Sequence, residues 1–348
     1  MSSDGSGDGQ SDGQGNGIDA FWAWWPGGQE RIRAAIEARK FEDTLVAEIT
    51  AKVQGIHPKV LWEMGPGTTA QHAFCLSSGG DPELRRLTER WLRAAPGAAG
   101  ANGLWEFHPA KRGAPALSEA KLQIADHTVG LGDMRFTVTV DPNRELMNVT
   151  SYHPAFAAMP DDMRGMATYI SLDRILGEDT VERWLGGIRT SAEPLENGGP
   201  FAMLAEAVGL LSGGATGERY TSLQGQAPDG RPMAATINLA LKRIDHLACD
   251  THLAVDVALA DPTPEGMPSD EEAEALNDIE DELEEMITGE AVYFGRETVH
   301  GRRALHWFVA PDHPIRPQLE AWAAGHPERD VRLTWAPDPR WTTADRFR

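Results

Sequence analysis

The chain reads as an α+β protein of two domains. Each is expected to be an antiparallel sheet with helices on one face, of ferredoxin-like type, and a disordered acidic tail precedes them. Three observations point there. Helical and strand-like segments alternate, and both halves run helix–strand–strand–helix–strand. Leu84, Glu89, Trp91 and Pro96 recur as Ile315, Glu320, Trp322 and Pro327 at one constant offset, and each set is followed by a strand bearing Trp105 or Trp335. The 348 residues, 41% of them apolar, suit two ordinary domains with real cores.

The elements follow in order. Residues 1–17, MSSDGSGDGQSDGQGNG, hold no apolar side chain after Met1; such a segment buries nothing and is expected to be disordered. Asp4, Ser6, Asp8, Gly9 and Asp12 fall at positions 1, 3, 5, 6 and 9 of a calcium loop, but Gly15 stands where a bidentate glutamate is needed, which favours a plain tail. Order begins near Ile18 with FWAWW (21–25), whose Trp22, Trp24 and Trp25 cannot share one helix face. At least one of them is expected at the surface or docked across a domain interface. Helical patterns cover about 28–38 and 41–55. KVLWEMG (59–65) and AQHAFCLS (70–77) read as strands around PGTT, and DPELRRLTERWLRAAP (81–96) reads as a helix with a proline stop. LWEF (104–107) is a strand, with three more near 121–125, 134–140 and 145–152, then a helix over about 156–176 starting around Pro154. SAEPLENGGP (191–200) is rich in turn formers and sets a boundary between domains at 18–195 and 200–348. Beyond it come a helix (201–211), strands near 218–225, 232–242 and 250–260, a long helix (270–288), a hairpin (293–308), a helix (313–324) and a strand (330–335).

A formal charge of −21 favours solubility and argues against binding naked nucleic acid or anionic lipid through a general basic surface, while permitting a basic protein partner. Cys75 and Cys249 form no disulfide framework and suit a reducing cytosol. No signal-peptide pattern and no membrane-spanning apolar run is present. The expectation is a cytoplasmic protein without cofactor or metal. Its oligomeric state cannot be read from the residues.

Three stretches carry chemistry. YFGRETVHGRRALHWF (293–308) places its turn at His300-Gly301. Val299 then faces Arg302, Gly295 faces His306, Phe294 faces Trp307, Tyr293 faces Phe308 and Val292 faces Val309. The base is apolar, and Arg296, Glu297, Thr298, Arg302 and Arg303 gather toward the tip. The tip reads as a solvated end, or as a basic surface aimed at an acidic partner; no nucleophile–base–orienter series is present. SDEEAEALNDIEDELEEMITG (269–289) combines a capping box, Ser269 with Glu272, an apolar stripe of Leu276, Ile279, Leu283, Met286 and Ile287, and Gly289 at the C-terminal cap. Its remaining charges are all acidic, which costs helix stability. That is either a solvated face or one that mimics nucleic acid or docks on a basic partner. His246, Cys249 and His252 give H-x-x-C-x-x-H, but no fourth ligand is evident and part of the segment lies on a strand, so core or surface roles are favoured over zinc. No phosphate-cradling glycine pattern and no nucleophile elbow occurs.

GMPSDEEAEALNDIEDELEEM (266–286), the 293–308 hairpin and DPRW (338–341), in that order, resemble an uncharacterised bacterial family catalogued as domain of unknown function 695. The likeness spans roughly 215–345, and APDGRPMAATINLAL (227–241) fits it too. The N-terminal half looks like a companion domain. This chain departs where the family hairpin often ends in Phe-Tyr, since Phe308 precedes Val309, which removes a hydroxyl there. The resemblance implies no catalytic residues; similar domains occur joined to ones resembling the ribonuclease E inhibitor, a small acidic α+β protein. The expectation is therefore a non-enzymatic protein that inhibits or regulates a protein partner. Its contact residues would be Asp278, Asp281, Glu282 and Glu285 on the helix and Arg296, Glu297, Arg302 and Arg303 on the hairpin. The alternative is a hydrolase in the cleft between the halves, requiring a histidine such as His127 or His153 to meet a carboxylate.

Overall fold

A computed structural model describes residues 9–97, 103–114 and 119–347, with side chains from residue 17 onward. Residues 1–8, and with them Asp4, Ser6 and Asp8 of the calcium-loop pattern, lie outside the described residues. Residues 9–17 differ from expectation: they open helix α1 (Gly9–Glu37), which runs on through Pro26. Ile18, Phe21, Trp22 and Trp25 bury that helix and anchor it.

The chain divides into two compact units, Met1–Leu117 with Ile170–Val181, and Ser118–Tyr169 with Glu182–Arg348. The turn-rich stretch 191–200 falls within the second unit.

The first unit adds α2 (Asp43–Gln54), β1 (Leu61–Pro66), β2 (His72–Ser77), α3 (Pro82–Arg93) and β3 (Trp105–His108) in the expected order. Its sheet is mixed rather than antiparallel: β1 pairs with β2 antiparallel, but β3 joins β2 in parallel. Helix α3 causes this, because a helical crossover returns the chain to the end of the sheet where β2 began. Asp81 caps α3 by accepting from the Glu83 N–H, with Pro82 in the first turn. Aromatic rings fill the core. Trp22 stacks on Trp91 at 5.1 Å and donates its indole N–H to the Trp91 carbonyl at 2.8 Å. Trp24, at the rim, donates to Glu48 at 2.7 Å. All three tryptophans of FWAWW thus pack in the first unit's own core.

The second unit contains a hairpin, β4 (Lys121–Ile124) with β5 (His127–Gly130), and a three-stranded sheet of β6 (Arg135–Asp141), β7 (Leu146–Tyr152) and β8 (Leu185–Ser191). Helices α4 (Asp161–Leu176) and α5 (Glu178–Trp184) lie between β7 and β8 in the chain, and β8 runs parallel to β7. Sequence periodicity misses β8 because it opens Leu-Gly-Gly. Those glycines admit the Asn148 side chain, whose Oδ1 accepts the Gly187 N–H at 2.7 Å.

After α6 (Phe201–Gly214) come β9 (Tyr220–Gln226), β10 (Pro232–Asn238), β11 (Thr251–Ala258), α7 (Asp270–Met286), β12 (Ala291–Val299), β13 (Arg302–Val309), α8 (Arg316–Ala324), β14 (Val331–Pro337) and α9 (Thr342–Asp345). The six strands form one antiparallel sheet in the order β14-β11-β13-β12-β10-β9. Alternation along β11 and β13 sends Leu253, Val255, Val257, Leu305, Trp307 and Val309 to the face that packs α7 and α8. Phe308 and Phe294 go to the other face, against Trp341 and Ala344. Leu84 and Ile315, and Trp91 and Trp322, are buried in both members of the repeat, but β11 separates β13 from β14 where β2 and β3 are direct neighbours.

Candidate functional site

Helix α7 begins where Ser269 Oγ accepts the Glu272 N–H at 3.2 Å. The capping box is half formed. The Glu272 carboxylate does not turn back; it accepts the Ala260 N–H at 2.9 Å and pairs with Arg329 at 2.6 Å, because it faces the sheet and is buried. Leu276, Ile279, Leu283 and Ile287 form the buried stripe, with Met286 partly buried beside it. Glu280 lies on the same side and receives the Tyr293 hydroxyl and the Arg296 guanidinium. The outward face is different. Asp278, Asp281, Glu282 and Glu285 are exposed, as are Glu271 and Glu274, and the described residues offer none of them an ion pair. Burial, then the Glu280 and Asp281 charges, raises the neighbouring Glu284 carboxyl above its ordinary pKa.

The hairpin turns at His300-Gly301, with φ of +52° and +71°, the left-handed pair that a two-residue turn requires. Val299 faces Arg302 and Gly295 faces His306, as the spacing predicts. Below that point the register shifts by one: Tyr293 faces Trp307, Val292 faces Phe308 and Ala291 faces Val309. The cause is a bulge at Phe294, built on Gly295 at φ +142°, where a Cβ would stand 2.3 Å from the Thr236 carbonyl oxygen. The bulge sends Phe294 to the second-face core while Tyr293 reaches Glu280.

The tip is not a solvated end, since Glu297, Thr298 and Arg303 are buried. Arg296 bonds Glu280 and, at 3.0 Å, Asn277. Arg303 donates to Asn277 at 3.1 Å and to Thr298 at 3.3 Å. Arg302 holds Asp256 and, at 2.9 Å, Asp330. The three guanidinium groups are therefore engaged by acceptors of the same unit, and the outward acids of α7 are left uncompensated.

On the second sheet face, His252 Nε2 lies 3.1 Å from His306 Nδ1, and His306 Nε2 lies 3.8 Å from Glu297. Arg346 donates to the same carboxylate at 2.6 Å. Burial, then the charges of His306 and Arg346, depresses His252 to about 4. Burial pulls the Glu297 carboxyl upward, but the interactions with His306 and the Arg346 guanidinium hold it below the usual carboxylate range. The sequence does not signal this cluster: the two histidines are 54 residues apart and meet only through the β11–β13 pairing. His246 stacks on Trp341 and the Cys249 carbonyl accepts the Trp341 indole N–H, so H-x-x-C-x-x-H disperses. Among the described residues no group of three His, Cys, Asp or Glu side chains is placed to hold a metal ion.

The other histidines named for hydrolysis go elsewhere. His127 opens β5, and His153 accepts the Ala155 N–H at 3.0 Å to cap a short turn, with burial lowering its pKa. In the first unit, two recesses of about 340 and 380 Å³ share Glu63, Arg112 and Ala114. Asp173 lines the second, its carboxyl pushed up to about 6 by burial and then by the Glu178 charge. Cys75 lines the first, with burial raising its thiol far above the nucleophilic range.

Residues 226–347 match the model of a family of unknown function, DUF695. The matched segment carries α7, the hairpin and the second-face cluster. Neither curated proteins nor solved structures yield a match. No helix among the described residues is long and apolar enough to cross a membrane.

Proposed function

We propose that this is a non-enzymatic binding protein that regulates or inhibits a basic protein partner by docking the outward face of α7 against it. One observation carries the reading: the acids of this helix separate by direction. The inward pair, Glu272 and Glu280, are each met by arginine, whereas Asp278, Asp281, Glu282 and Glu285 are exposed and unmatched. A helix selected for stability alone would intersperse lysine or arginine at i, i+4. An uncompensated acidic ridge accelerates association with a cationic surface and disfavours acidic competitors. The hairpin's part in this reading is to support the ridge, since Arg296 and Arg303 clamp α7 through Glu280 and Asn277. The cytosol, with its reduced thiols, suits the two free cysteines.

The test is a tagged capture from native lysate at low and moderate salt, repeated with Asp278→Lys, Asp281→Lys, Glu282→Lys and Glu285→Lys combined. The expected result is a salt-sensitive basic protein held by the wild type and lost by the variant. Retention of the same partner by a folded variant refutes the proposal.

A further inference from the structure

The six-stranded sheet of the second unit ends in two edges that the chain treats differently. β14, at one end, reads VRLTWAP; it carries the charge of Arg332 and closes on Pro337, two devices that keep an edge from pairing with a foreign strand. β9, at the other end, reads YTSLQGQ. It has no charge and no proline, and it pairs with β10 over its whole length without a bulge. On a chain of net charge −21, an uncharged and largely exposed edge of seven residues is an unguarded site for strand addition.

The register shows which backbone groups stand open. The Leu239 N–H donates to the Arg219 carbonyl and the Ala227 N–H to the Arg231 carbonyl, so the odd-numbered residues from 219 to 227 bond toward β10. Pro232, which has no N–H, faces Gln226, as that alternation allows. The N–H and C=O groups of Tyr220, Ser222, Gln224 and Gln226 therefore point away from the sheet. Among the described residues none of them meets a backbone partner. Tyr220 is 52% exposed, and Leu223 packs on the second-face core while staying partly exposed.

We infer that β9 is a homodimerisation edge: two copies of the chain pair antiparallel through it, about a two-fold axis at Leu223, and extend one sheet through both. The edge is complementary to itself. The axis sets Ser222 against Gln224 of a second copy and Tyr220 against its Gln226, so every outward group finds a partner. Leu223 meets its own copy and covers the apolar surface left exposed. Thr221 faces Gly225, which has no side chain to obstruct it. No like charges oppose each other along the strand, a condition that this acidic chain's own β9 meets. Seven residues a side fall short of the roughly 20–30 of a standard interface, so the dimer is weak and concentration-dependent. The inference does not depend on the α7 ridge or on the function proposed for it.

The test is sedimentation equilibrium of the full-length chain from about 1 to 300 µM, a range that spans weak association, in moderate salt to screen the net charge. The mass is expected to climb from that of one copy toward twice that value. Gln224→Pro removes one outward N–H per copy and no bond to β10, at an edge where proline is tolerated, and is expected to weaken the dimer by about tenfold or more. If circular dichroism shows that variant misfolded, Ser222→Lys with Gln224→Lys, which sets lysines against each other across the axis, decides. Leu223→Cys is expected to link two copies under mild oxidation, because the Cα atoms of such a non-bonded pair stand about 4.5 Å apart. Gln226→Cys, set against Tyr220, is expected to stay unlinked. Cys75 and Cys249 are buried and do not compete. A chain that stays monomeric throughout overturns the inference and leaves the edge to a strand of another protein. A dimer left intact by the folded edge variants overturns it too, as does linkage by Gln226→Cys as ready as by Leu223→Cys. A mass that climbs beyond two copies refutes closure by a two-fold axis.

Discussion

If the outward acids of α7 serve recognition, removing their charge strengthens the fold. Asp278→Asn, Asp281→Asn, Glu282→Gln and Glu285→Gln combined is the decisive perturbation. Asp278–Glu282 and Asp281–Glu285 are like-charge pairs at i, i+4, and Asp278–Asp281 and Glu282–Glu285 at i, i+3; Glu274 and Glu284 add further repulsion at the ends of the set. Each such pair costs roughly 0.2–0.5 kcal/mol on an exposed helix. Glu285, in the last turn, also opposes the helix dipole. Helix propensity changes little between the acids and their amides. The variant is therefore expected to gain about 1–2 kcal/mol at low salt, and the gain should shrink in molar salt, where charges are screened within about 3 Å. Urea titration followed at 222 nm reads the stability, and amide exchange of the 270–286 segment localises it. A variant equally stable or less stable at low salt would show that the acids support the helix, and the recognition argument would fall.

Other outcomes follow from the same structure. Gly295→Ala should cost about 3 kcal/mol or more, because its Cβ would meet the Thr236 carbonyl oxygen at 2.3 Å in a left-handed conformation; a urea midpoint within about 1 kcal/mol of wild type would contradict the bulge. Ser269→Ala should cost about 1 kcal/mol through the lost cap, read the same way. His252, depressed to about 4, stays neutral in the fold while the unfolded chain takes a proton near 6.5. Stability should thus fall as pH drops from about 6.5 to about 4, and His252→Asn should flatten that slope in thermal melts. Asp173 has the opposite sign: its folded carboxyl, near 6, keeps a proton that the unfolded chain releases near 3.9, so stability falls as pH rises between those values. Asp173→Asn should remove that fall and gain on the order of 1–2 kcal/mol at pH 7 after solvent screening.

What the sequence disclosed follows from the reach of its signals. The stripe on α7, the Ser269 cap, the His300-Gly301 turn and the helix–strand–strand–helix–strand order of the first unit are local patterns, and they appear where their spacing places them, whereas β5, α5, β8 and α9 carry no such signal. The bulge at Phe294 does not announce itself, since an extra residue in an apolar strand leaves the composition unchanged and only Gly295 marks it. The fate of the hairpin arginines was equally hidden. Asp256, Asp330, Glu280 and Asn277 lie on other elements, and a tip that looks solvated in isolation is buried once α7 and β11 pack against it. The parallel pairings of β3 and β8 depend on crossovers that alternation alone cannot report.

The placement of β11 demands contacts of long sequence separation. It precedes α7 and the hairpin in the chain, yet it lies between β13 and β14 and bonds to both. The α8–β14 end therefore pairs with a strand that lies across the whole intervening helix and hairpin in the chain. Contacts of such long sequence separation slow folding. Whenever β14 is undocked, the outer edge of β11 stands open to pairing with another chain.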